Sequence, residues 1–145
     1  MKTREKFLTS AEEKQIVEAI QQAELKTSGE ISVHIQQTAD KDPMDHAKEM
    51  FYKLKMNETA HQNGVLFHIL VDKKQFSIIG DKGIDEKVSA DFWEEIKDKV
   101  IHKFKEKQYA SGLIQGIELA GRSLKKYFPH QKNDINELSD EISKA

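Results

Sequence analysis

The stretch NGVLFHILVDKKQFSIIGDKG, residues 63–83, decides the fold that we predict for this chain. After Asn63-Gly64 it continues as a mostly apolar run to Val71, which is the pattern of a central strand covered on both faces. The polar turn Asp72-Lys73-Lys74 separates this strand from a second one at 75–79. A connection this short predicts an antiparallel hairpin.

The residues before this hairpin predict a strand and a crossover helix. Residues 30–37 alternate in polarity and place Ile31, Val33 and Ile35 on one face, which predicts a strand. Asp42-Pro43 then indicates the cap and first turn of a helix. A strand, helix and strand in this order should form a right-handed unit with parallel strands.

Apolar residues at helical spacing predict one further helix before the first strand and two after the hairpin. The expected element order is therefore α-β-α-β-β-α-α. We predict an α/β fold, a three-layer α/β/α sandwich around a small mixed sheet that joins a parallel β-α-β unit to an antiparallel hairpin.

The length of 145 residues fits one domain, which we expect at 1–130. The composition of residues 131–145 predicts a polar C-terminal tail, with Ile135, Leu138 and Ile142 as its only apolar anchors. We expect this tail to be loosely docked or partly disordered.

Composition narrows the classes of function. The chain has no cysteine, which excludes thiolate zinc sites. Its 23 Lys and Arg and its 25 Asp and Glu are mixed along the sequence, whereas a protein that binds nucleic acid needs a basic face. Its first residues lack the apolar core of a secretory signal, and the longest mostly apolar run is far below the ~20 residues that a membrane helix needs. We expect a cytoplasmic monomer with no integral membrane segment.

The predicted topology brings three polar segments to one end of the sheet, because parallel strands begin there and the antiparallel strand ends there. The segments are 27–30, 63–64 and 80–83, and all contain glycine. Carboxylates and backbone carbonyls suit Ca²⁺ or Mg²⁺, although the same residue types are common in ordinary turns. The predicted metal ligands are Glu30, Asp81 and Asp85, and the further binding residues are Asn63, Gly64, Gly80 and Gly83.

A rival acidic cluster follows the other ends of the parallel strands, where α/β sheets usually bind ligands. It consists of Asp40, Asp42 and Asp45 after the first strand and Asp72 after the second. Asp40-Lys41-Asp42 is not an EF-hand, because Asp45 stands where that loop needs glycine. Asp42 also serves well as a helix cap.

Several blocks of the chain resemble the TPM domain family, which includes thylakoid-lumen, photosystem II and MOLO proteins. The blocks are Thr27-Ser28-Gly29-Glu30-Ile31, Asn63-Gly64-Val65-Leu66, Gly80-Asp81-Lys82-Gly83-Ile84, Phe92-Trp93, Phe128-Pro129 and Asn136-Glu137-Leu138. The resemblance implies an α/β/α sandwich. It also implies divalent-cation binding in some members and acid-phosphatase activity in some plant relatives.

These observations leave alternative functions open. The chain has no G-x-S-x-G elbow, no P-loop and no histidine pair at metal-ligand spacing, and His68 is expected to be a buried, hydrogen-bonded residue. We expect a calcium- or magnesium-binding module that regulates or contacts a partner protein, rather than an enzyme. The alternatives are a metal-dependent acid phosphatase for small phosphomonoesters and a protein-binding domain without a ligand.

Overall fold

A mixed four-stranded sheet lies at the centre of the computed structural model, which describes residues 7–130 and 138–145. The strands are β1 Glu30–Gln36, β2 Gly64–Leu70, β3 Gln75–Gly80 and β4 Ser143–Lys144, in the spatial order β3-β2-β1-β4. β1 runs parallel to β2 and β4, whereas β3 is antiparallel to β2. The predicted parallel unit and the predicted hairpin are both confirmed.

Five α-helices surround this sheet in the described parts of the chain. They are α1 Ser10–Glu24, α2 Pro43–Lys53, α3 Lys82–Asp85, α4 Ala90–Lys105 and α5 Tyr109–Lys125. Apolar residues of α1, α4 and α5 form the main core with one sheet face, whereas Met50 and Phe51 of α2 pack on the other. The α/β sandwich is therefore confirmed, with the short α3 as an addition. None of the described helices is long and apolar enough to cross a membrane.

The pattern of β2 explains why the hairpin organises the fold. All seven residues of β2 are buried, because Val65, Phe67 and Ile69 join the main core while Leu66 packs against α2. β1 contributes Ile31 to the main core from the neighbouring position in the sheet. Burying each such side chain stabilises the domain by roughly 1.5–3 kcal/mol.

The last residues of the chain form a strand that the predicted element order lacks. Ser143 and Lys144 pair with His34 and Ile35 of β1, and the Gln37 N–H donates to the Ala145 carbonyl at 2.8 Å. The half-buried Ile142 packs on the main core. The tail residues 131–137, with Ile135, Asn136 and Glu137, lie outside the described residues.

Candidate functional site

The polar segments at the beginning of β1 and β2 and the end of β3 are joined by backbone hydrogen bonds. The Glu30 N–H donates to the Asn63 carbonyl at 3.2 Å, and the Asp81 N–H donates to the Gly64 carbonyl at 2.9 Å. The Gly83 N–H donates to the Gln62 carbonyl at 2.9 Å. Residues 27–30, 62–64 and 80–83 therefore lie together, and we call this end of the sheet the candidate site.

Asp81 is the carboxylate at the turn from β3 to α3. It is the N-cap of α3, and its Oδ1 accepts the Lys82 N–H at 2.8 Å. The side chain is 8% exposed, and its Oδ2 has no hydrogen-bond partner among the described residues. A buried oxygen acceptor without a donor is costly, so this atom favours an outside ligand.

Asn63 presents a second oxygen acceptor of the same kind. Its side chain is 1% exposed, and its Nδ2 donates to Ser28 Oγ at 3.4 Å, which brings the segments before β1 and β2 together. Its Oδ1 has no hydrogen-bond partner within the described parts of the chain. Two neighbouring segments of the candidate site therefore each carry an unsatisfied, buried oxygen.

Glu30 adds a third oxygen-bearing side chain, with 4% exposure at the first position of β1. Its negative charge also acts on Glu24 at the end of α1. Glu24 Oε2 accepts the Ile31 N–H at 3.2 Å. Burial, and then a hydrogen bond with the Asp140 carboxyl of the tail, raise the pKa of Glu24. The last segment of the chain thus reaches this carboxylate-rich region.

Asp85 is oriented differently from Asp81. It lies on the exposed surface of α3, and its Oδ1 accepts the Trp93 Nε1–H at 2.9 Å. The indole of Trp93 packs so closely on β3 that a Cβ at Gly80 would lie 2.0 Å from it. Asp85 and Gly80 therefore hold the indole of Trp93 against the face of β3 at the end of this strand.

The glycines of the candidate site allow close contact within the protein. A Cβ at Gly83 would lie 2.4 Å from the Gln62 carbonyl oxygen, and one at Gly64 would lie 2.9 Å from the Met56 carbonyl oxygen. None of the glycines in the described ranges has a positive φ. Their role in this structure is the close packing of the segments around Asn63 and Asp81.

The candidate site does not contain a preassembled cage of carboxylates. Within residues 7–130 and 138–145, no three His, Asp or Glu side chains gather in an arrangement that could hold a metal ion. Any cation here would therefore need the Asn63 amide oxygen or backbone carbonyls in addition to carboxylates.

The rival aspartates at the other end of the sheet act as caps and surface groups. Asp42 Oδ2 accepts the Met44 N–H at 3.1 Å as the N-cap of α2, and Asp72 Oδ1 accepts from Gln37 Nε2 at 3.1 Å. Asp40 and Asp45 are exposed. Ordinary capping and turn interactions account for the contacts of Asp42 and Asp72.

A histidine cluster lies between the sheet and α2, and the sequence interpretation missed it. Nδ1 of His46 is 2.9 Å from Nε2 of His68, so one nitrogen donates and the other accepts. The ring centroids of His34 and His68 are 5.5 Å apart, and Nδ1 of His34 lies 2.9 Å from Ser143 Oγ of β4. Burial, and then the neighbouring His34 and His46, lower the pKa of His68 to about 4.

A groove runs beside β3 next to the candidate site. Its larger part, of about 540 Å³, lies between α2 and α4 and is lined by Lys48, Tyr52, Asp81, Lys82 and Trp93 among others. A second part, of about 420 Å³, lies beside the start of β3 and is lined by Lys74, Phe76 and Lys97 among others.

Together these features define a three-layer α/β/α domain with a polar, glycine-containing site at one end of a mixed sheet. The family model of the TPM domain matches residues 1–123. The chain belongs to the TPM domain family, and the expected resemblance is confirmed.

Solved structures show the same fold. The NMR structure of the BA42 protein from the psychrophilic bacterium Bizionia argentinensis is 49% identical, with both chains covered to 100% and a TM-score of 0.93. The N-terminal domain of a P. gingivalis protein is 18% identical, with coverage of 88% of this chain and 83% of that chain and a TM-score of 0.69. The N-terminal domain of the cg2496 protein from Corynebacterium glutamicum is 12% identical, with coverage of 93% and 79% and a TM-score of 0.65. The search of curated proteins found no match.

Proposed function

We propose that the chain is a divalent-cation-binding module whose ion lies at the candidate site. The observation that carries this proposal is the pair of buried oxygens, Asn63 Oδ1 and Asp81 Oδ2, that lack partners among the described residues. A hard cation such as Ca²⁺ or Mg²⁺ accepts both types of oxygen as ligands. It would therefore satisfy two atoms whose burial otherwise destabilises the fold.

Glu30 is the further ligand in this proposal, because it is buried at the start of β1 and its N–H already bonds to the Asn63 carbonyl. Asp85 has a lesser role, since it is exposed and bonded to Trp93. A ligand set of two carboxylates and one amide is small, so water and backbone carbonyls would complete the coordination. Binding would order the turn from β3 to α3 and thereby regulate the surface around Asp81.

The test is a calcium or magnesium titration of ¹⁵N-labelled protein, compared with Asp81→Asn. Asparagine is as good an N-cap as aspartate, so the variant keeps the cap of α3 while it removes the charged ligand. We expect amide shifts at Glu30, Asn63 and Asp81 in the parent protein and an affinity at least about tenfold lower in the variant.

Asp72→Asn is the matched control, because it makes the same change in the rival cluster. It should bind the cation like the parent protein. Equal affinity of the Asp81→Asn variant, or no shift at the candidate site with millimolar calcium, would show that the site has another role.

The alternative function is a metal-dependent acid phosphatase for small phosphomonoesters. The specific observation that favours it is the groove beside Asp81, in which Lys48 and Lys82 could bind a phosphate group. A cation at Asp81 would polarise the phosphoryl oxygen and activate water. The two functions are distinguished by measuring the rate of phosphate release from a phosphomonoester with highly purified parent protein and with the Asp81→Asn variant. Equal rates for both proteins would reject catalysis at this site.

A further inference from the structure

The outer edge of β3 is open within the described residues, since β3 is the first strand in the order β3-β2-β1-β4. The Asp81 N–H donates to the Gly64 carbonyl, so the backbone N–H of residue 81 points towards β2. Along an antiparallel pair, the backbone groups of every second residue point towards the partner strand. The register of β2 and β3 then directs the backbone groups of Phe76, Ile78 and Gly80 outward. An edge of this kind can pair with another extended chain.

The groove gives this edge two walls. Lys48 and Tyr52 lie one helical turn apart on α2, and Trp93 and Lys97 lie one turn apart on α4. Tyr52 is 65% exposed, which is unusual for so large a side chain. The cleft thus offers backbone hydrogen-bonding groups along its floor and apolar contacts along its sides.

The charge of the groove indicates the chemistry of its partner. Five lysines line its two parts, against two carboxylates, although the whole chain has a formal net charge of -2. The lysines are Lys48, Lys74, Lys82, Lys97 and Lys105. Of the two carboxylates, Asp81 caps α3 and Asp85 bonds to Trp93. A local excess of positive charge attracts an acidic partner.

We propose that the open edge of β3 binds an extended acidic segment of a partner protein as an added strand. Backbone pairing supplies affinity in this mode, and alternate side chains of the segment enter the groove on either side. A second copy of this chain is disfavoured as the occupant, because it would bring two lysine-lined grooves together. This interaction goes beyond cation binding and does not depend on it.

The experiment uses the whole protein and a blocked peptide of alternating glutamate and valine, followed by amide shifts. We expect the largest shifts at Phe76, Ile78 and Gly80. The double variant Lys48→Glu with Lys97→Glu, one change in each wall, should bind about tenfold more weakly. The control Lys14→Glu with Lys99→Glu changes the same charge on exposed helix positions outside the groove and should bind normally.

Two further peptides separate strand addition from simple charge attraction. A glutamate-valine peptide with alternate N-methylated residues cannot pair with the strand and should lose binding, and a lysine-valine peptide should not bind. Full binding of either peptide, shifts confined to other elements, or no shifts at millimolar peptide would overturn the proposal. Concentration-dependent shifts of β3 without peptide would instead identify a second copy as the occupant and overturn it as well.

Discussion

Replacing Gly83 with alanine is expected to lower the free energy of unfolding by about 2–3 kcal/mol. The new Cβ would lie 2.4 Å from the Gln62 carbonyl oxygen and 2.6 Å from that of His61. These are backbone atoms, so a side-chain rotation cannot relieve the overlap. The substitution should also break the hydrogen bond from the Gly83 N–H to Gln62 and move α3 away from Asn63.

Denaturant unfolding of the variant measures this effect, and Gly29→Ala provides the control. A Cβ at Gly29 would meet the end of the Leu124 side chain at 3.0 Å, and a side chain of this kind can shift. We expect the control to lose less than about 1 kcal/mol. Equal stability of the Gly83→Ala and Gly29→Ala variants would contradict the close packing of α3 against residues 61–62.

Acidification is expected to destabilise the domain through His68. Burial lowers its pKa in the folded state to about 4, whereas an unfolded histidine titrates near 6.5. Between these values the unfolded chain binds more protons at this residue, so the contribution of His68 to stability is full above about pH 6.5 and falls as the pH drops towards 4. The shift corresponds to a loss of about 3 kcal/mol across this window.

The surroundings of His68 support this direction. It is 0% exposed, and it faces His34 from β1, His46 from α2 and Ser77 as its partner in β3. Burial also lowers the pKa of His34, so protonation of this neighbouring histidine is unfavourable as well. A charge on His68 would therefore lie beside two further histidines, His34 and His46, which oppose a positive charge.

Chemical denaturation at several pH values tests this effect by comparing the parent protein with His68→Gln. The variant should have a much shallower loss of stability between about pH 6.5 and 4, whatever its stability at neutral pH. His102→Gln, at an exposed position of α4, should keep the parental slope. An unchanged slope in His68→Gln would exclude His68 as the acid-sensitive group.

The sequence predicted the convergence of Glu30, Asn63 and Asp81, because strand direction alone determines which strand ends meet. The short Asp72-Lys73-Lys74 turn made β3 antiparallel, and this feature moved the expected site away from the aspartates after β1. The sequence could not indicate that Asn63 Oδ1 and Asp81 Oδ2 are buried without partners. That property depends on side-chain packing rather than on residue type.

The histidine cluster and β4 were missed for different physical reasons. His34 and His68 each lie four residues after the first residue of their strand, so an assumed register would have paired them. His46 required knowledge of which side of α2 faces the sheet. Ser143-Lys144 has no apolar periodicity, because its pairing with β1 uses backbone groups that every residue carries.

The most direct test of the cation site is a crystal structure of the protein grown with calcium, with the ion located by its anomalous scattering. We predict a peak at about 2.3–2.6 Å from both Asn63 Oδ1 and Asp81 Oδ2. Ordered water on these two oxygens, with calcium bound only at Asp40, Asp42, Asp45 or Asp72, would contradict the proposed function.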